Sequence, residues 1–96
     1  MRRSLPNLGT SWIVEFKEEA SRELLLLPKD VSPRIVRKID FLHVNPAPVE
    51  SKKLAGFPDL YRLRVGDYRV VYHVRHREHA VYILRVRHRR DAYRGL

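Results

Sequence analysis

Arginine is the residue type whose placement here could do chemistry. From Leu60 onward the chain carries ten Arg, no Lys and three acids, so +7 of its formal net charge of +9 lies in that last third. A guanidinium group stays charged and offers a planar fork of donors that matches two phosphate oxygens at once. Arg62, Arg64, Arg69, Arg85 and Arg87 stand at alternating positions of three apolar-rich segments, with His73 among them. Lys52 and Lys53 precede this set, and His88, Arg89 and Tyr93 follow it. Such a collection suits a polyanion: nucleic acid, the ribosome, an acidic lipid surface or an acidic protein segment.

Three strands must hold these cations. Leu60–Val65, Tyr68–Arg75 and Ala80–Val86 are rich in β-branched and aromatic residues. Gly66-Asp67 predicts a two-residue hairpin turn, with Gly leading as a type II′ turn prefers. That turn sets the register, placing Val65 opposite Tyr68, Arg64 opposite Arg69, Arg62 opposite Val71 and Tyr61 opposite Tyr72. Alternation then gives Tyr61, Leu63, Val65, Tyr68, Val70, Tyr72 and Val74 to a core face. Arg62, Arg64, Arg69, His73 and Arg75 share the other. In the third strand, an uninterrupted alternation that brings Arg85 and Arg87 to the basic face carries Val81 and Ile83 there too. Arg64 directly across from Arg69 is unfavourable by some tenths of a kcal/mol. A solvated face would alternate Lys with Glu or Thr. A row that keeps its repulsion reads as a polyanion site, without saying whether the site is an enzyme's.

The front half supplies cover for the core face. Trp12–Phe16 reads as a strand with Trp12, Val14 and Phe16 on one side. Phe16, Ala20, Leu24 and Leu27 recur at helical spacing up to Pro28. Val31, Ile35, Ile39 and Leu42 form the apolar stripe of a second helix, which ends before Asn45-Pro46. Joined by three or four residues, the two predict an antiparallel helical hairpin. The expected fold class is α+β: an N-terminal strand and that hairpin, packed on one face of a mostly antiparallel four-stranded sheet. The length suits one domain over residues 1–96, with the patternless residues 1–10 expected to be flexible. Trp12, Tyr61, Tyr68, Tyr72 and Tyr82 are assigned to the core. The helical acids Glu15, Glu18, Glu19, Glu23 and Asp40 are assigned to solvated faces.

Several function classes drop out. With no cysteine there is no disulfide framework and no thiolate chemistry. No histidines pair with acids at ligand spacing, so no metal site and no cofactor are expected. Arg2-Arg3 lead into Ser4-Leu5-Pro6-Asn7 with no apolar run, which is not a signal-peptide pattern, and no stretch is long enough to span a membrane. The expected compartment is the cytoplasm.

The residues also carry a likeness. Lys53-Leu54-Ala55-Gly56, followed by Leu60-Tyr61-Arg62-Leu63-Arg64-Val65-Gly66-Asp67-Tyr68-Arg69-Val70-Val71-Tyr72, resembles the heart of RelE-type toxins in the RelE/ParE superfamily. Ile83–Tyr93 resembles their closing motif, usually Val-Gly-His-Arg-x-x-x-Tyr. The likeness spans roughly residues 12 to 93. It implies a toxin of a type II toxin–antitoxin system, held by a cognate antitoxin in a hetero-oligomer. It further implies a ribosome-dependent mRNA endonuclease that stops translation. In such enzymes the RNA 2′-hydroxyl attacks its own 3′-phosphate, leaving a 2′,3′-cyclic phosphate and a 5′-hydroxyl.

Carried over by position, the resemblance implies a catalytic set of Arg62, Arg64, Arg69, Arg89 and Tyr93. Lys52, Lys53, His73, Arg85, Arg87 and His88 become accessory RNA contacts. Fixed guanidinium groups suit the charge that builds on phosphate oxygens during in-line attack. Two departures concern mechanism. Some RelE members carry Lys where this chain has Arg62 and Arg64, and Arg is a poor general base. The usual Gly before the motif histidine is here Arg87. The ParE branch, which inhibits DNA gyrase on the same fold, is the alternative; its members typically lack the full arginine–tyrosine set. A non-catalytic RNA-binding module would explain the charge but not the terminal motif.

Overall fold

A computed structural model describes residues 11–94, and residues 1–10, expected to be flexible, lie outside that range. The element order is β1 (Ile13–Phe16), α1 (Glu18–Leu25), α2 (Ser32–Asp40), a 3-10 turn (Phe41–His43), β2 (Ser51–Lys53), β3 (Leu60–Val65), β4 (Tyr68–Arg75) and β5 (Ala80–His88). The sheet has five strands in the order β1-β5-β4-β3-β2. The expectation of four strands missed β2, a polar three-residue edge. All neighbours run antiparallel except β1, which lies parallel to β5.

Local chemistry accounts for the helices. Glu18 and Glu19 occupy the first turn of α1, where the helix dipole favours anions, and Arg22 bonds Glu18 at 3.1 Å one turn on. Pro33 starts α2, where a missing N–H costs nothing. The connection covers Leu26–Val31, longer than the three or four residues expected, and leaves Leu25 and Leu26 exposed. Ala20, Ile35, Ile39 and Leu42 pack with Leu63, Val65, Val70, Tyr72, Val74, Val81, Ile83 and Val86 in one core cluster. Tyr72 is fully buried, and its hydroxyl donates to the Pro46 carbonyl at 2.7 Å. Burial pushes that phenol up to about 12.

The β3–β4 register is the one expected, Val65 opposite Tyr68 through Leu60 opposite His73. Gly66 alone of the turn pair has positive φ, +59°, as a leading glycine requires.

The third long strand departs from expectation. Val71 pairs with Arg85 but Tyr72 pairs with Ile83, so Leu84 is an extra, unpaired residue. This β-bulge inverts the alternation halfway along β5. Val81 and Ile83 therefore point to the helices, while Arg85 and Arg87 still point away from them. The expectation that Val81 and Ile83 join the basic face is corrected: both are fully buried in the core. Tyr82, assigned to the core, instead pairs with His73 on the opposite face and donates to Glu78 at 2.9 Å.

A candidate phosphate-binding face

Cross-strand neighbours share a face, so the register builds the site in rows. One row runs Arg64, Arg69, Arg87; the next runs Lys52, Arg62, Val71, Arg85; a third holds Leu60, His73 and Tyr82. β5 then ends in turns that bring Arg89 and Tyr93 back. The Arg89 N–H donates to the Asp67 carbonyl at 2.8 Å, tying this segment to the β3–β4 hairpin tip.

Arg69 is the centre of the arrangement. Its Nη1 donates to the Gly66 and Tyr68 carbonyls, both at 2.9 Å, which fixes the guanidinium. Partial burial, then the charges of Arg64, Arg62 and Arg89, depress its pKa, while Tyr93 acts in the opposite sense. Arg64, Arg62, Arg89 and Tyr93 each lie within electrostatic reach of Arg69. Among the described residues, Arg62, Arg64 and Arg69 form no ion pair, and Arg89 reaches Asp67 only at 4.0 Å, with both side chains mostly exposed.

The accessory set is divided. Lys52 pairs with Arg62 on the basic face, whereas Lys53 pairs with Tyr61 on the helix side. His73 is on the basic face, two rows from Arg69. His88 pairs with Tyr68 on the helix side, meets that ring edge-on at 5.4 Å, and accepts the Arg90 N–H at 3.2 Å. Arg85 and Arg87 begin on the basic face but bend round the sheet edge to Glu23 of α1. Arg87 Nε donates to Glu23 Oε2 at 2.7 Å and Arg85 Nη1 to the same oxygen at 3.1 Å. Glu23 Oε1 accepts the Val86 N–H at 2.8 Å, satisfying a strand edge beyond the end of β1.

Glu23 is therefore no solvated helix acid; it is about one-fifth exposed and neutralises two of the expected RNA contacts. Burial raises its pKa, but the bonds from Val86, Arg87 and Arg85 outweigh that and hold it below the usual carboxylate value. The one available signal is Arg87 itself, a long cation where the motif usually has Gly. Arg87 Nη1 also donates to the carbonyls of Asp91 at 3.1 Å and Arg94 at 3.0 Å, so it holds the segment that carries Arg89 and Tyr93.

Guanidinium groups on one face, with Arg64 across from Arg69 and Arg62 in the next row, can bind a phosphodiester and stabilise added charge on its oxygens. Among the described residues no His, Asp and Glu side chains gather as metal ligands would. None of the helices described is long and apolar enough to cross a membrane.

The model of the ParE toxin of type II toxin–antitoxin systems matches residues 14–93. The chain belongs to the RelE/ParE toxin family. It is a RelE-like toxin of a type II toxin–antitoxin system. A Methanocaldococcus jannaschii relative named as toxin RelE1 is 32% identical over 89 residues, 85% of this chain and 99% of the relative. The RelE–RelB complex of Pyrococcus horikoshii contains a chain 34% identical, with TM-score 0.73, covering 82% of this toxin and 96% of that chain. The isolated RelE toxin of E. coli superposes with TM-score 0.73 at 26% identity, covering 81% of this toxin and 84% of that chain.

Proposed function

We propose that this toxin is a ribosome-dependent endoribonuclease of the RelE branch, cutting mRNA and so stopping translation. The carrying observation is the register that sets Arg64 directly across from Arg69 with Arg62 in the adjacent row, and the Arg89 N–H bonded to the Asp67 carbonyl at the tip of the same hairpin. In the proposed step the 2′-oxygen bonds to the adjacent phosphorus and the phosphorus–O5′ bond breaks. The 2′-hydroxyl proton leaves, and the 5′-oxygen gains one. Arg69 and Arg89 clamp the phosphate and stabilise the charge growing on its equatorial oxygens. Arg62, Arg64, Lys52 and His73 hold neighbouring phosphates. Tyr93, 45% exposed beside this cluster, stacks on an unpaired base. Arg85 and Arg87 contribute by shaping the face, since Glu23 already occupies them.

Arginines cannot serve as the base, so little cleavage of naked RNA is expected and the ribosome supplies what the chain lacks. Purified toxin added to mRNA-programmed ribosomes should give fragments ending in 2′,3′-cyclic phosphate. The family model's own description points to the ParE branch, so gyrase supercoiling is assayed in parallel. Intact mRNA with arrested supercoiling would move the toxin there, and RNA binding without either effect would leave a binding module. Tyr93→Phe should retain cleavage within about threefold, while Tyr93→Ala should lose roughly tenfold, as loss of one base stack does. Equal losses would assign the hydroxyl a proton-transfer role instead. The partner we propose is a cognate antitoxin, as RelB is in the complexes of the relatives.

A further inference from the structure

A second group of cations adjoins the cluster just described and shares Arg64 with it. Arg34, Arg37 and Lys38 of α2 and Arg64 of β3 line an open cleft with Phe41, Val65 and Gly66. Lys38 is bonded to Glu50 at 2.8 Å. Among the described residues, Arg34, Arg37 and Arg64 form no ion pair. Gly66 makes room for this arrangement, because a Cβ there would stand 3.1 Å from Arg34 Nη2. Gathering cations in a concavity is unfavourable unless an anion occupies it.

The cleft is continuous with the sheet face. Arg64 belongs to both, and the hairpin tip at Gly66 has Arg34 against one side while its carbonyl accepts Arg69 Nη1. Phe41, half exposed at the cleft, offers a flat ring where bases could stack. Interleaved arginines and an aromatic ring, in line with a phosphate cluster, fit a single RNA strand better than an acidic peptide. We propose that the α2 cleft binds the RNA backbone where the strand continues past the Arg69 cluster, over the hairpin tip. This rests on the RNA reading of the sheet face and extends its footprint by a few nucleotides.

The test is the length dependence of RNA binding by the full chain, followed by fluorescence anisotropy with mixed-sequence oligoribonucleotides of about 4 and about 12 nucleotides. Each phosphate neutralised on a single strand adds about 0.7 to the salt slope. The Arg34→Ala/Arg37→Ala variant should bind the longer RNA about tenfold more weakly, with a salt slope lower by about 1.4, and the shorter RNA within twofold of the parent. Arg34→Lys/Arg37→Lys should recover most of the loss, and an unchanged thermal midpoint checks the fold. Equal weakening of both lengths, or no weakening of the longer one, would overturn the cleft site. So would a polyglutamate peptide that binds the cleft as tightly as the longer RNA, which would point to a protein partner. Arg69→Ala separates the two readings, because it should weaken both lengths. If it weakens neither while the α2 variant loses the longer RNA, the sheet-face reading fails and the cleft stands.

Discussion

Arg69→Ala and Arg89→Ala should each slow mRNA cleavage on the ribosome by on the order of a hundredfold, about 3 kcal/mol, the loss that removing one transition-state donor produces elsewhere. The two side chains reach the cluster differently. Arg69 comes from β4 with Nη1 fixed by the Gly66 and Tyr68 carbonyls. Arg89 comes from beyond β5, tied by its backbone to Asp67 and largely exposed. Truncating Arg89 should therefore cost under about half a kcal/mol of stability. Truncating Arg69 forfeits two hydrogen bonds and should cost about 1 kcal/mol. Neither loss unfolds a domain of ordinary stability, so activity and folding are separable. Arg69→Lys keeps the charge without the fork and should recover only part of the rate. Single-turnover cleavage at saturating toxin is the measurement. Folded alanine variants that cut at the parental rate would remove the phosphate clamp from the mechanism.

Glu23→Ala should destabilise the fold by about 2–4 kcal/mol. One carboxylate accepts from Val86, Arg87 and Arg85. Its loss leaves Arg87 with only the Asp91 and Arg94 carbonyls, Arg85 with only Glu19 at 3.5 Å, and a strand-edge N–H without its acceptor. Stability of a small domain is only about 5–15 kcal/mol in total, so the fraction lost is large. The same group gives a pH signature. Glu23 is held below the ordinary carboxylate value when folded, so its contribution is present above the unfolded pKa of about 4.3. That contribution fades as pH falls through the lower folded value. Urea unfolding from pH 7 to pH 3 should show the gap between parent and Glu23→Gln closing as the medium acidifies. A gap that stays constant would mean that the carboxylate's charge is not what holds α1 to β5.

How far the sequence could be read depended on where apolar and polar residues alternate. Gly66-Asp67 fixed the β3–β4 register because Arg62, Arg64 and Arg69 interleave with Leu63, Val65 and Val70, leaving one phase. Ala80 to Leu84 offers no such contrast: five apolar residues in a row fit either phase, and the bulge at Leu84 is silent. Only Arg85 and Arg87 carried phase information, and extending their phase backwards misplaced Val81, Ile83 and Tyr82. β2 escaped because Ser51-Lys52-Lys53 has no apolar alternation, as suits an edge that must resist pairing with another chain. Its register then separates Lys52 from Lys53, a distinction invisible while both read as one basic pair. Glu23 escaped for another reason, since its partners follow more than sixty residues later and helical spacing says nothing of them.

The order of the strands sets the order of assembly. Among the described residues β1, the first strand in chain order, has a single hydrogen-bonding neighbour, β5, the last. Until β5 is available, Ile13–Phe16 has no ladder to join, and β3 and β4 form a hairpin with one flank open. Closing the sheet is thus a long-range event that must bring the two ends of the domain together, the kind of topology that folds slowly. Arg89 and Tyr93 follow β5, so the proposed phosphate clamp cannot assemble on a nascent chain before β5 has been synthesised.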